Sequence, residues 1–596
     1  MDPIKVDFTG KGKSKELLIP PEKAGLKIVI NIVITVIVAI VAYYMLLPAM
    51  NPKALEFYYY FGIILAAYVV SAFITSKAFA KPEYMPYVKK QATVPVIIAL
   101  ALGLLLGVGY LTSNVVFSAK AFSRIISEQP IASTNFDELD LIDSLDDFSK
   151  VPLIDKSVAE ALADKTLGDL FSSNADTENL VSQFVVDDLH STQINYQKAP
   201  TRVFPLKYGD FFKWFKNRAD GLPGYIAVDM YTQEASMVRK EGSAVKYSPA
   251  EYFNRKLIRH LRFAYPTVMF GTSSFEINEE GQPYWICKII DKTVGLIGGD
   301  DVVGVVLVNA YTGDCSRYSL DDIKNNGELK WIDQVFDAEL LNTQYNYYGK
   351  YSNGFINSII GQENVKITTS GSNFLAINDD VYMYTGVTSI SNDQSIIGFI
   401  LINQRTKDAK FYPVSGATEA AAQTSAKGSV QDMGWDATFP LLLNVGGEPT
   451  YFMAYTSGGV VKGYSMVNVS QYAIVAKSNN SPNLVECLRS YETLLGKNLN
   501  IDYTVDVAIP DGSGSTETPV VQTESITGVI AEIRTAVIGG NSMYYIKLDN
   551  NKYYSISASA AQNVVIFNVG DTIKITYSPT SEVIIPATNA ELSVAQ

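Results

Sequence analysis

Three stretches within the first 117 residues, 28–47, 57–74 and 94–116, contain no Asp, Glu, Lys or Arg. A helix of about 20 apolar residues covers the roughly 30 Å of bilayer hydrocarbon, so these runs specify three membrane-spanning helices. A cleaved leader would look different. The first run lies behind a polar segment, 1–27, and two further runs follow it, whereas a signal peptide has one short apolar core.

Lysine placement sets the expected orientation. The first segment carries Lys5, Lys11, Lys13, Lys15, Lys23 and Lys27, and the loop between the second and third runs carries Lys77, Lys81, Lys89 and Lys90. Both belong on the cytoplasmic side by the positive-inside bias, with Tyr43–Tyr44 and Tyr58–Tyr60 as interfacial aromatics at the opposite ends. Lys120 and Arg124 beyond the third run oppose this with two charges. Everything after the third span is then expected outside the cell, as an ectodomain of a multi-pass protein of the cell membrane.

Residues 1–117 hold eleven lysines and six acids, so of the overall net charge of −13 the remainder carries −18. An acidic ectodomain argues against a broad nucleic-acid-binding face, which needs clustered Lys and Arg. Its three cysteines, Cys287, Cys315 and Cys487, are too few for a disulfide framework. A large exported domain so poor in cysteine points to a bacterial surface behind a single membrane.

The ectodomain repeats itself. Gly224-YIAV-Asp229, Gly304-VVLV-Asn309, Gly398-FILI-Asn403 and Gly463-YSMV-Asn468 share one pattern, and the first three continue into a Thr two residues beyond the next position. Four apolar residues make a buried strand, and Asp or Asn followed by Thr makes a turn. Aromatic strands precede three copies at Tyr284-Trp285-Ile286, Tyr382-Met383-Tyr384 and Tyr451-Phe452-Met453. Helices are expected between the sheets. Ser248-Pro249-Ala250-Glu251 reads as a capping box followed by Phe253, Leu257 and Leu261; Trp331, Ile332, Val335, Phe336 and Leu340 read as a second helical stripe; Ala420–Ala422 begin a third helix.

Helix followed by antiparallel sheet, with the turn Ala310-Tyr311-Thr312-Gly313-Asp314, resembles the PepSY, or cystatin-like, family. The resemblance covers about 150–500 as repeated units and implies extracytoplasmic modules that bind protein or restrain proteases, without a shared chemistry. Residues 509–525 are rich in Pro, Gly, Ser and Thr and read as a linker. Beyond them, short strands around 528–530, 544–548 and 573–576 resemble an OB-type small barrel.

The expected fold class is α transmembrane helices plus an α+β ectodomain of tandem helix-on-antiparallel-sheet repeats and a C-terminal small β-barrel. The expected segments are a tail 1–27, spans 28–117, a membrane-proximal linker 118–150, repeat units 151–245, 246–320, 321–414 and 415–508, a linker 509–525, a barrel 526–586 and a tail 587–596.

Signals for chemistry are sparse. The two histidines, His190 and His260, stand apart with no metal-ligand spacing, and both read as structural. Gly12-Lys13-Ser14 lacks the strand and first glycine of a phosphate loop. The acid pairs Asp300-Asp301, Asp321-Asp322 and Asp379-Asp380 offer oxygens that suit calcium, yet no EF-hand pattern surrounds them, and turn or cap chemistry accounts for them. Cys287 and Cys315 fall in one expected sheet, where buried thiols are the default and a cross-strand disulfide the alternative. No cofactor or metal site is expected. Gly103, Gly107 and Gly109 place small residues along the third span for close helix packing. The functional expectation is a non-enzymatic surface scaffold that associates with copies of itself, contacting lipid through its three helices. A regulator of an envelope protease or cell-wall enzyme is the alternative, and a carboxylate-based hydrolase is a third.

Overall fold

The computed structural model describes residues 19–131, 141–173, 182–240, 242–377, 379–390, 395–478, 482–503, 524–538, 541–557, 562–577 and 584–593. The first four lysines of the tail, Gly12-Lys13-Ser14 and most of the 509–525 linker lie outside them.

Three helices are long and apolar enough to cross a membrane: α1 (Ala24–Leu46), α2 (Leu55–Thr75) and α3 (Met85–Thr112). Their outward faces are bare Ile, Val and Leu, and the side-chain Oδ1 of buried Asn31 accepts from the Thr75 hydroxyl at 2.8 Å, tying α1 to α2. The third apolar run was expected to remain helical to 116, but α3 stops at Thr112. Asn114 caps a new helix, α4 (Val115–Phe122), by accepting from the Val116 amide at 2.9 Å.

A compact unit extends from these helices to residue 512 and contains four larger, mainly antiparallel sheets in chain order, besides a two-stranded one. The first uses strands 184–186, 192–196, 199–208, 225–229 and 235–238, with helix Lys156–Ser173 packed on it. The second is a meander of Met269–Ile277, Pro283–Val294, Gly298–Asn309 and Cys315–Ser319. The third is built on Asp380–Ser389 and Gly398–Asn403, the fourth on Glu448–Ser457 and Val460–Asn468. In each, the strand that ends at the repeated Asp or Asn pairs with a neighbour in the same register: Asp229 opposite Thr201, Asn309 opposite Tyr284, Asn403 opposite Tyr382, Asn468 opposite Thr450. The glycine has a steric reason. A Cβ at Gly224, Gly304 or Gly398 would lie 2.1, 2.4 or 2.4 Å from the carbonyl oxygen of Val238, Tyr318 or Tyr412 across the hairpin.

The segment expected as a linker, 118–150, is part of the sheets. Glu128–Pro130 adds a parallel strand to Ala409–Tyr412 in the third sheet, and Leu141–Ile142 adds one to Leu441–Val445 in the fourth. Glu128 is fixed there by Lys366 and by the Tyr345 hydroxyl at 2.7 Å. The chain thus leaves α4, straps the last two sheets, and only then builds the first two.

Two expected helices differ. Ser248 heads a turn, and Glu251 does not reach back to it: its buried carboxylate accepts from the Tyr208 hydroxyl at 2.6 Å and Trp214 Nε1 at 2.8 Å. Helix begins only at Leu257 (Leu257–Ala264), and Phe253 is exposed. Ile332, Val335 and Phe336 are buried as expected but not helical; the amides of Val335 and Phe336 both donate to the Gln404 carbonyl, and helix starts at Ala338. A capping box does occur further on, between Ser319 and Asp322. The helix begun by Ala420–Ala422 spans Glu419–Gly428.

In the second unit, from 513, five strands pair in the order 524–538, 541–548, 553–557, 584–592, 572–577, with the last pairing back to the first. Ile546, Leu548, Tyr554, Ile573 and Ile575 fill its core. Its closing strand runs to Leu592, past the expected boundary at 586, because 587–592 pair with 573–577.

Candidate functional site at the membrane face

The four repeated Asp and Asn residues do the same work. Each ends its strand, and each side-chain Oδ1 accepts from the amides two and three residues on: Tyr231 and Thr232 for Asp229, Tyr311 and Thr312 for Asn309, Arg405 and Thr406 for Asn403, Ser470 and Gln471 for Asn468, all at 2.8–3.1 Å. They are turn-forming residues, spread over four sheets and not gathered into a site.

The three glycines of α3 part company. A Cβ at Gly103 or Gly107 would meet nothing within 4 Å, whereas one at Gly109 would lie 2.8 Å from the Leu296 side chain. Leu296 sits at the tip of the hairpin formed by Pro283–Val294 and Gly298–Asn309, and beside it the Ile297 amide donates to Ser113 Oγ at 2.9 Å. The loop between α1 and α2 grips the same sheet. Lys53 pairs with Asp291 at 2.7 Å, the Met50 amide donates to the Pro266 carbonyl at 2.8 Å, and Arg262 Nε donates to the Leu47 carbonyl at 3.0 Å. Ala49, Ala54 and Met269 bury one another between these contacts. The sheets are therefore clamped to one end of the helix bundle, the end that carries the α1–α2 loop.

Beside this clamp opens a cavity of about 850 Å³, bounded by the exit of α3, by residues 189–192 of the first sheet's lead-in, by 272–274 of the second sheet and by helix Ala338–Tyr351. His190 lines it. Its Nδ1 is 2.7 Å from Asp187 Oδ2, with Lys207 nearby. Burial works to raise the Asp187 carboxyl, but the His190 hydrogen bond and the charges of His190 and Lys207 outweigh it and hold it low. Lys288, itself buried, pairs with Asp337 on the same wall, and Thr272 also donates to Asp337. Two buried polar atoms on the lining have no hydrogen-bond partner, Thr192 Oγ1 and Gln344 Oε1, and burial of unpaired polar atoms is costly unless something satisfies them. Chemically the cavity offers acceptors and one buried cation to a polar molecule. No protein-family model, curated protein or solved structure matches the chain.

The sequence reading set His190 aside as structural; the only signal for it was an Asp three residues before a His in Asp187-Asp188-Leu189-His190. His260 bonds the Gly313 carbonyl at 2.7 Å and meets the Tyr247 ring at a tilt, away from the cavity lining. The acid pairs hold the fold: Asp300 pairs with Lys292, Asp301 with Lys407, Asp380 with Arg405, and Asp322 caps a helix. Among the described residues no three His, Cys, Asp or Glu side chains gather as a metal site needs. Cys287, Cys315 and Cys487 are unbonded, and burial pushes the Cys287 thiol up to about 12 and the Cys315 thiol up to about 11, far from reactive thiolates.

Proposed function

We propose that the protein is a membrane-anchored surface scaffold of the cell membrane that works by binding protein, copies of itself first, and not by catalysis. The observation that carries this is the clamp. A tethered domain needs only a loose linker, whereas here a salt bridge, a buried alanine pair and several main-chain bonds hold the sheets at one fixed height and angle on the bundle. Fixed presentation is what an assembly of identical copies requires, since closed symmetry repeats one contact at one angle. The bare Gly103–Gly107 face supports a helix contact between copies, small residues letting backbones approach closely. With lysines on the opposite side, the ectodomain faces out of the cell.

The recurring turn and helix-on-sheet units support kinship with PepSY-type modules, and the closed strand circuit after 524 supports an OB-type barrel. A protease or wall-enzyme regulator built from such modules is the second reading, favoured by that same repetition. Native mass measurement after mild detergent extraction separates them. The scaffold gives a discrete particle of several copies, which Gly107→Leu dissociates. A clean monomer over a wide concentration range, with one heterologous protein recovered in pull-downs, would replace it with the regulator.

A further inference from the structure

Two groups of large apolar side chains lie bare on the ectodomain, and both adjoin the ends of spans. The first is made by helix Phe211–Asn217 and the turn Phe253–Arg255. Phe212 is 81% exposed, and Phe215 and Phe253 are more than half exposed. Their base is an aromatic cluster: Phe211, Trp214, Tyr252 and Phe253 meet in tilted and edge-to-face contacts with centroids 4.7–5.7 Å apart. This group is bonded to α1: Arg259 donates to the Phe253 carbonyl at 2.9 Å and lies 4.2 Å over the Tyr44 ring. Phe263 meets the rings of Tyr43 and Tyr44 at 5.8 and 6.4 Å. Tyr43 and Tyr44 occupy the last turn of α1, the level at which a span passes from hydrocarbon to headgroups.

The second group stands at the other end of the bundle's face. After α3, only Ser113 and Asn114 separate the span from α4, on which Phe117 is 73% exposed. The short helix Phe355–Ile359 packs on α4 and presents Ile356 and Ile360, both more than 70% exposed. Arg218 lies 3.8 Å over the Phe215 ring, but among the described residues both groups stay largely exposed, and both continue from residues at the membrane boundary. The segments that carry the first group also bear Lys213, which pairs with Asp210, and Lys216, Arg218 and Lys256, on a domain that is otherwise acidic.

We infer that these two groups are feet that enter the leaflet on the ectodomain's side, Phe212, Phe215 and Phe253 at one point and Phe117, Ile356 and Ile360 at the other. Aromatic rings with basic companions suit the acyl–headgroup boundary, where the rings bury apolar area and the cations meet anionic lipid phosphates. The lipid is favoured over a second protein because each foot is anchored at a span's end, where bilayer already surrounds the neighbouring turn. The ectodomain then rests on lipid at two points in addition to its clamp.

The full chain in phosphatidylglycerol-containing nanodiscs tests this. Phe212→Trp and Ile356→Trp are compared with Tyr472→Trp, an exposed position on the turn after Val460–Asn468, after subtracting emission of the four native tryptophans. Expected is blue-shifted emission at positions 212 and 356, quenched by lipids brominated near the headgroup and barely by aqueous acrylamide, with the reverse at 472. Acrylamide quenching at 212 and 356 equal to that at 472 would overturn the inference. So would shielding from both quenchers, which would mean that a protein surface, such as a second copy, covers the feet.

Discussion

Glu276 is an acid held away from water. It is fully buried, its carboxylate accepting from the amides of Asp333 and Gln334 at 2.9 and 3.1 Å, with buried Asp333 beside it. Burial raises its pKa to about 7 despite those amides and Lys288, and Asp333 is raised by burial and by Glu276. A carboxyl raised in the folded state binds its proton more tightly folded than unfolded, so stability falls as pH rises. For Glu276 the loss should run from the ordinary 4.5 to about 7, and the raised Asp333 carboxyl adds loss of the same sign. Thermal melts of wild type and Glu276→Gln across that range check it: wild type should lose melting temperature with rising pH, Gln should flatten the slope, and a flat wild-type profile would refute the assignment. None of this was visible in the sequence, where Glu276 is one acid among many. Its carboxylate also explains the missing helix at 331–336: those amides are satisfied by buried side chains and the Gln404 carbonyl, so an apolar stripe recorded burial without recording helix.

Among the elements, the hairpins ending at Asp229, Asn309, Asn403 and Asn468 were legible, because an acceptor side chain placed after four apolar residues has a local purpose that four copies repeat. Asn309→Ala should cost about 1–2 kcal/mol by stranding two amides, while Asn309→Asp, which keeps the acceptor as Asp229 does, should cost much less. Chemical denaturation of the full chain in detergent measures both, and equal losses for Ala and Asp would show that the side-chain oxygen is not what matters. The spans were legible for a similar reason, absence of charge being a local property. The strap strands Glu128–Pro130 and Leu141–Ile142 were not: two or three residues carry no periodicity, and their partners lie far along the chain. Neither was the displaced cap at Ser248, since Glu251 is claimed by Tyr208 and Trp214, which no reading of residues 248–251 alone could reveal.

For the molecule as a whole, the division near residue 512 predicts that a chain ending at about 509 keeps the clamp and the four sheets. Its melting temperature should match that of the full chain's main transition, and a collapse of that transition would show that the last five strands support the rest. The cavity belongs to this scale too: its walls come from a span and three separate segments, so no single stretch of sequence announces it. The strap has a further consequence for biogenesis. Glu128–Pro130 is synthesised soon after α3, yet the strand it pairs with, Ala409–Tyr412, belongs to the third sheet and follows both of the first two in the chain. The strap's partner is made only after the first two sheets, so completing the third sheet depends on a contact of very long sequence separation and should be slow. A translation arrest before the third sheet would leave, at the membrane surface, a hydrogen-bonding edge that invites chaperones or proteases.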